Sequence, residues 1–416
     1  MGEQKSPGKS FDISKREVWD AYEVVKANQG ASGVDGVSIA AFETDLKNNL
    51  YKIWNRMSSG TYFPPPVRAV EIPKANGGVR VLGVPTVADR IAQTDVARRL
   101  EQKVEPIFHP DSYGYRPGRS AHDALRTCRR RCWRYDWVVD LDIEKFFDSV
   151  DHDLMIKAVE ANTDQRWVVL YVKRWLVAPL ALPDGTLAAR DRGTPQGSAV
   201  SPVLANLFLH YAFDTWMAQQ FPAAPFERYV DDAVVHCVSE AQAHQVRQAI
   251  ADRMEQVGLR LHPAKTRIVY CRDGNRRGSY PDTEFTFLGF TFRARKARNS
   301  RTGVNFTAFL PAVSKQALNR MGKQVRAWRL HNRTGMSPRQ LAKMINPVVR
   351  GWMQYYGEFY PTALRPFLRR INAYLMRYLR KKYEHLRSWK KACKAWQRVS
   401  TQAPNLFYHW RLERTL

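Results

Sequence analysis

The stretch FERYVDDAVVHC, residues 226–237, constrains the fold of this chain more than any other. Tyr229 and Val230 precede two adjacent acids, Asp231 and Asp232, and Ala233, Val234 and Val235 follow them. Short apolar runs bounded by polar residues read as buried strands, and two of them joined at paired aspartates read as a hairpin. Neighbouring strand residues point to opposite faces, so the two carboxylates are not equivalent. One faces a site directly and the other lies beside or behind it. A lone Asp-Asp turn is ordinarily only a turn, because Asp favours turns through local side-chain hydrogen bonds.

A second acidic strand end changes that reading. In VVDLDIEKFFD, residues 138–148, strand alternation points Asp140 and Asp142 to one face, and Asp142 comes last, where strand meets helix. Two strands ending in acids can converge on a hard cation such as Mg²⁺, which takes a few carboxylates and completes its shell with water and phosphate oxygens. Such a centre suits phosphoryl transfer, because paired metals activate an attacking hydroxyl and stabilise the leaving oxygen. The sequence has neither GxxxxGK nor GxGxxG, which excludes the P-loop and Rossmann readings. Residues 66–85 read as a β-hairpin around the turn ANGG, with Lys74 at one arm and Arg80 on the other. An arginine fork and a lysine point charge are suited to a triphosphate, although either residue alone also fits an ordinary solvated hairpin.

Along the chain, helices are predicted at 14–28, 39–58, 86–104, 122–131, 154–176 and 240–257, strands at 137–143 and through FTFLGFTFRA, and basic helices beyond Val313. Strands and helices alternate irregularly at first and helices dominate later. This predicts an α+β body with a basic helical appendage. The charge follows the same division. Of the net +27, residues 291–416 carry +25, with 28 Lys and Arg against Glu358, Glu384 and Glu413. So lopsided a distribution points to a phosphate-backbone partner. The five cysteines are odd in number and scattered, and CRRRC at 128–132 has no second ligand pair at zinc spacing, so free thiols are expected. There is no apolar run of 18 residues and no secretory h-region, which predicts a cytoplasmic protein that binds no membrane.

With these residues in view, the chain resembles the reverse transcriptases of bacterial group II introns and their free-standing relatives. The resemblance rests on YVDD at 229–232 and DIEKFFDSVDH from Asp142, with further stretches in the family's order. These are GVDGVS at 33–38, IPKANGGVRVLGVPTVADRIAQ at 72–93, SYGYRPGRSAHDA at 112–124, RGTPQGSAVSPVLANL at 192–207, GLRLHPAKT at 258–266, FTFLGFTF at 285–292 and INPVVRGWMQYYG at 345–357. It implies a right-hand polymerase: an N-terminal extension over 1–65, fingers over 66–135, palm over 136–295 and a thumb or maturase X region over 310–416. It implies that Asp142, Asp231 and Asp232 form a catalytic triad holding two Mg²⁺, for which Mn²⁺ is a substitute. Lys74 and Arg80 match residues gripping the incoming dNTP, Phe147 a steric gate under the sugar, and Gln196 a residue lining the nucleotide pocket. Arg116, Tyr229, Val230 and Lys265 match positions beside template and primer. The implied partners are an RNA template, a DNA primer, a DNA template and group II intron RNA, and the implied place of action on DNA is the bacterial nucleoid.

The implied function is RNA-directed DNA polymerisation, with copying of DNA also expected, in intron mobility or a host role such as DNA repair. The alternative is an RNA-binding maturase that assists splicing, with polymerisation secondary. Two departures stand out. Val230 replaces the family's commoner alanine with a stiffer β-branched side chain, and Ser198 stands where glycine is more frequent.

Overall fold

The computed structural model describes residues 9–73, 78–299 and 301–416. The chain forms two compact units that interleave in sequence. The first comprises Met1–Ser120, Leu141–Val235 and His244–Thr266, and the second Ala121–Asp140, His236–Ala243 and Arg267–Leu416. Strand Phe226–Tyr229 pairs with Asp232–Cys237, and Trp137–Asp142 with Arg267–Tyr270.

In the first unit, helix Lys15–Asn28 starts at a capping box in which Ser14 and Glu17 satisfy each other's backbone N–H. It packs on helix Val87–Val104. Over residues 87–96 that second helix is buried nearly all round, polar residues included: Asp89, Gln93, Thr94 and Asp95 all lie inside. Strands Val67–Pro73 and Val79–Val84 pair antiparallel, with Ile72 opposite Arg80. The first of them extends in parallel onto Leu180–Ala181. Phe226–Tyr229 and Asp232–Cys237 pair with Tyr229 opposite Asp232, so the turn holds only Val230 and Asp231. Helix Ser201–Leu209 runs into one wider π turn, His210–Asp214, before Thr215–Gln220.

In the second unit, Trp137–Asp140 pair antiparallel with Arg267–Tyr270. Strands Glu284–Phe287, Phe290–Arg298 and Asn305–Val313 form a meander whose core stacks Phe285 on Phe292 at 4.7 Å. The helices Lys315–Ala327, Pro338–Tyr356, Arg365–Lys382 and Trp389–Gln402 follow. Both cysteines of CRRRC are buried on helix Ala121–Cys132, and burial pushes the Cys132 thiol up to about 12. None of the five cysteines forms a disulfide among the described residues, as expected.

The α+β expectation is met, with local differences. The expected helix 154–176 is two, His152–Glu160 and Arg166–Val177, because the polar run between them breaks the period. The 39–58 segment divides likewise into Ile39–Glu43 and Leu46–Ser58. FTFLGFTF is a hairpin rather than one strand, since Leu288 and Gly289 both adopt positive φ. Asn305–Val313 was not predicted as a strand.

Candidate active site

A cleft of about 840 Å³ opens in the first unit, lined among others by Arg80, Asp142, Phe147, Gln196, Asp231 and Lys265. Six residues chosen from sequence thus meet in one space. Lys74 lies outside the described residues.

The hairpin tip carries Asp231. Val230 has φ +61° while Asp231 keeps a negative φ, the pattern of a type II′ turn, whose first position favours glycine. A β-branched residue there is strained by about 1–3 kcal/mol and persists only if its surroundings hold it. They do so through Arg228, which is 1% exposed. Its Nε and Nη2 donate to the two carboxylate oxygens of Asp214, both at 2.6 Å, and its Nη1 donates to the Val230 carbonyl at 3.0 Å. Nη1 also donates to Asn206 Oδ1 and Nη2 to Ser112 Oγ. Asn206 in turn donates to the Gly114 carbonyl at 2.6 Å. Gly114 lies so close to the tip that a Cβ there would stand 2.6 Å from Val230 Cγ2. Burial pushes the Asp231 carboxyl up; its own backbone N–H opposes this, nearby Asp142 adds to it, and Arg80 and Arg228 pull it down.

Asp142 ends its strand, and its backbone is held by the His262 N–H donating to its carbonyl at 2.8 Å. Lys265 Nζ donates to Asp142 Oδ2 at 2.8 Å. Both side chains are about half exposed (54% and 41%), so the pair contributes at most about 1 kcal/mol. A cation therefore already sits against this carboxylate. Asp140, expected on the same face as Asp142, does not line the cleft and pairs with Arg267 at 3.5 Å. Asp232 does not line the cleft either. The carboxylates of Asp142, Asp231 and Asp232 do not all lie within 4.8 Å of one another. Of the three expected aspartates, Asp142 and Asp231 thus face the cleft, which Glu144 and Asp148 also line; such carboxylates are hard oxygen donors, which suit Mg²⁺ or Mn²⁺ and not a soft metal.

The loop at 193–199 forms the cleft's other wall. The Gly193 N–H donates to the Val150 carbonyl and the Thr194 N–H to the Phe147 carbonyl, each at 2.7 Å, and the Gly83 N–H donates to the Gln196 carbonyl at 2.8 Å. Gly197 has φ +107°, and a Cβ on it would meet the Gly83 carbonyl oxygen at 2.6 Å, so only glycine fits. Phe147 packs edge-on against buried Phe146 at 5.3 Å.

Arg116 differs from expectation. Its guanidinium is buried, bonded through Nε and Nη2 to the Glu105 carboxylate and through Nη1 to the carbonyls of His109 and Ser112. Its side chain holds its own loop together instead of projecting from it. Tyr229 is half-buried, with its ring 6.5 Å from that of Tyr115, an exposed cleft residue at φ +53° that was not singled out from sequence. Arg228, Asp214, Asn206 and Gln93 were missed as well. Among the described residues, no helix is long and apolar enough to cross a membrane.

The chain is similar to known proteins over most of its length. Residues 72–292, more than half of the chain, match the family described as Reverse transcriptase (RNA-dependent DNA polymerase). Residues 318–396 match the Group II intron, maturase-specific domain. The chain is 31% identical to Protein YkfC of Escherichia coli over 345 residues, covering 71% of this chain and 87% of that protein. It is 35% identical to the Group II intron-encoded protein LtrA of Lactococcus lactis over 191 residues, 46% of this chain and 32% of LtrA, so it spans about a third of that relative. Telomerase from Candida albicans, solved with a fragment of telomeric RNA, aligns with 90% of this chain and 68% of its own at TM-score 0.47 and 12% identity, too distant to bear on function.

Proposed function

From the premise that this chain belongs to the group II intron-type reverse transcriptases, right-hand RNA-directed DNA polymerases, we propose that its nucleotidyl transfer centres on Asp142 and Asp231. The observation that carries this is the convergence of those two carboxylates with Arg80, Phe147 and Gln196 on one cleft. The family uses divalent metal ions and nucleic-acid partners. Asp142 and Asp231 would hold the metal, two Mg²⁺ or Mn²⁺ ions, and Asp232 would support them from the adjoining strand position. Metal bound there lowers the pKa of the primer 3′-hydroxyl and stabilises the leaving pyrophosphate oxygen.

The other steps belong to the chain's own side chains. Lys265, which pairs with Asp142, turns towards the primer–template when metal and nucleotide bind. Arg80, with Lys74 from the same hairpin, grips the triphosphate of the incoming dNTP. Phe147 lies under the sugar, where a 2′-hydroxyl would meet its ring. Gln196 lines the base and sugar side of the pocket. Tyr229 and Val230 present the primer end, and the loop braced by Arg116 borders the template. We assign residues 1–65 to an N-terminal extension, 66–135 to fingers, 136–295 to palm and 310–416 to thumb. The templates are RNA and DNA, and the work is cytoplasmic, at the nucleoid when DNA is copied, in intron mobility or DNA repair.

The match of residues 318–396 to a maturase-specific domain favours intron RNA as a second partner. Primer extension with Mg²⁺ and dNTPs on matched RNA and DNA templates tests the proposal, with Asp231→Ala as control. Extension on RNA that disappears in the variant is expected. No extension on either template, with RNA binding retained, would replace polymerase by maturase as the main activity.

A further inference from the structure

Behind the nucleotide wall lies a buried polar chain that no expected catalytic role uses. Asp89 and Gln93, one turn apart on helix Val87–Val104, are 0% and 1% exposed. Asp89 Oδ1 accepts from the Tyr62 hydroxyl at 2.9 Å and from the Trp175 indole N–H at 2.7 Å, and its Oδ2 accepts from Gln93 Nε2 at 2.8 Å. Gln93 Oε1 then accepts from Ser198 Oγ at 2.5 Å and from the Ala199 N–H at 2.8 Å. These last two belong to the loop that carries Gln196 into the cleft, and Ser198 itself lines the cleft.

The polarity of this chain is fixed at both ends. The indole and the backbone N–H can only donate, and an ionised carboxylate can only accept. The Tyr62 and Ser198 hydroxyls can rotate to donate or accept, and the Gln93 amide could be turned end for end. Asp89 removes that choice: an acceptor opposite Gln93 forces the amide NH₂ towards Asp89 and its oxygen towards the loop. A buried charge is a costly way to fill this position. Its burial pushes the Asp89 carboxyl up to about 6, although bonds from Trp175, Tyr62 and Gln93 oppose the rise. A neutral amide of the same shape would pack as well and avoid that cost, but it would not fix the direction of the chain.

We infer that Asp89 is a positioning residue for nucleotide binding, acting through the orientation it imposes on Gln93 to hold the 194–199 loop against the cleft. Ser198, the departure from the commoner glycine, adds a second bond to that hold. The inference rests on the reading of the cleft as the dNTP site.

Polarity gives a test that packing alone cannot imitate. In Asp89→Asn, the oxygen stays with Tyr62 and Trp175, and an NH₂ meets Gln93. Gln93 must turn, and the Ala199 N–H loses its acceptor. The KM for each of the four dNTPs rises about tenfold, while kcat changes less and primer–template affinity is unchanged. Gln93→Glu fails for the opposite reason, placing two carboxylates face to face. The double variant Asp89→Asn, Gln93→Glu restores every donor to an acceptor and returns the dNTP KM towards wild type. A purely structural role would make the double variant at least as poor as the worse single one, in KM and in thermal midpoint alike. Ser198→Gly keeps the Ala199 bond and raises KM about threefold, and it provides the measurement if either single variant fails to fold.

Gln196→Ala separates the inference from its premise. If that variant leaves the dNTP KM unchanged, the cleft is not the nucleotide site and the inference falls with it. A raised KM in Gln196→Ala beside a wild-type KM in Asp89→Asn and in Ser198→Gly overturns the inference alone.

Discussion

Asp95 should make the chain less stable at alkaline than at mildly acidic pH, and replacing it should abolish that loss. The residue sits on helix Val87–Val104 at 3% exposure, and its Oδ2 is buried without a hydrogen-bond donor among the described residues. Burial pushes its carboxyl up to about 7; Glu17 adds to the rise, and Arg99 and Arg98 oppose it. An unfolded Asp titrates near ~3.9. Between about pH 4 and 7 the folded chain therefore holds a proton that the unfolded chain has released, and stability falls as pH rises through that window. About three pKa units at 1.36 kcal/mol each give a loss of up to about 4 kcal/mol, complete by about pH 8. Asp95→Asn carries no titrating proton, so the loss vanishes whatever the absolute effect of the amide. The assay is the urea midpoint of wild type and variant at pH 5, 6.5 and 8. Other raised carboxylates, such as Asp89, are common to both proteins and cancel in the comparison. The variant should gain on the wild type steadily from pH 5 to pH 8. Parallel midpoints across the series would refute the reasoning, because they would mean that Asp95 stays ionised or becomes hydrated inside the fold.

Other expectations concern the cleft and its supports. Asp231→Asn should lower single-nucleotide incorporation by roughly a thousandfold, and Asp232→Asn by distinctly less, since only Asp231 lines the cleft; equal losses in rapid-quench assays would contradict that ordering. Phe147→Ala should narrow the preference for dNTPs over NTPs by about 10- to 200-fold in competing incorporation, and an unchanged ratio would remove the ring from under the sugar. Arg228→Lys cannot reproduce the paired bonds to Asp214 or the bond to the Val230 carbonyl, and it should cost about 3–5 kcal/mol in denaturant unfolding. A variant with wild-type stability and extension would show that the hairpin tip needs no such brace.

What could be read from sequence was whatever a local rule governs. The FERYVDDAVVHC hairpin follows from apolar runs meeting at paired aspartates, and Asp142 from alternation up to the strand's end. Asn305–Val313 broke the same rules, because its first three residues are exposed and Pro311 reads as an interruption. Helix Val87–Val104 shows the opposite failure. Over residues 87–96 it is buried nearly all round, so the acids there have no polar face to occupy and look like surface residues in a one-dimensional pattern. Asp89, Gln93 and Asp95 were invisible for that reason. Charge misleads in the same way. Arg80, Arg116 and Arg228 all stand near motifs that suggest phosphate, yet only Arg80 faces the cleft. Arg116 is neutralised by Glu105, 11 residues away, and Arg228 by Asp214, 14 residues away at the end of a π turn. Neither partner shares a helix or strand with its arginine, so no periodicity within one element could pair them. An arginine beside a catalytic motif therefore has two uses, to reach a phosphate or to fix the backbone that carries the acid. Net charge cannot separate them, because a buried pair and a solvated cation enter the count alike. In this cleft the strained turn at Val230 decides which use applies. A β-branched residue held at positive φ needs an internal brace, and Arg228 is the cation whose donors reach its carbonyl.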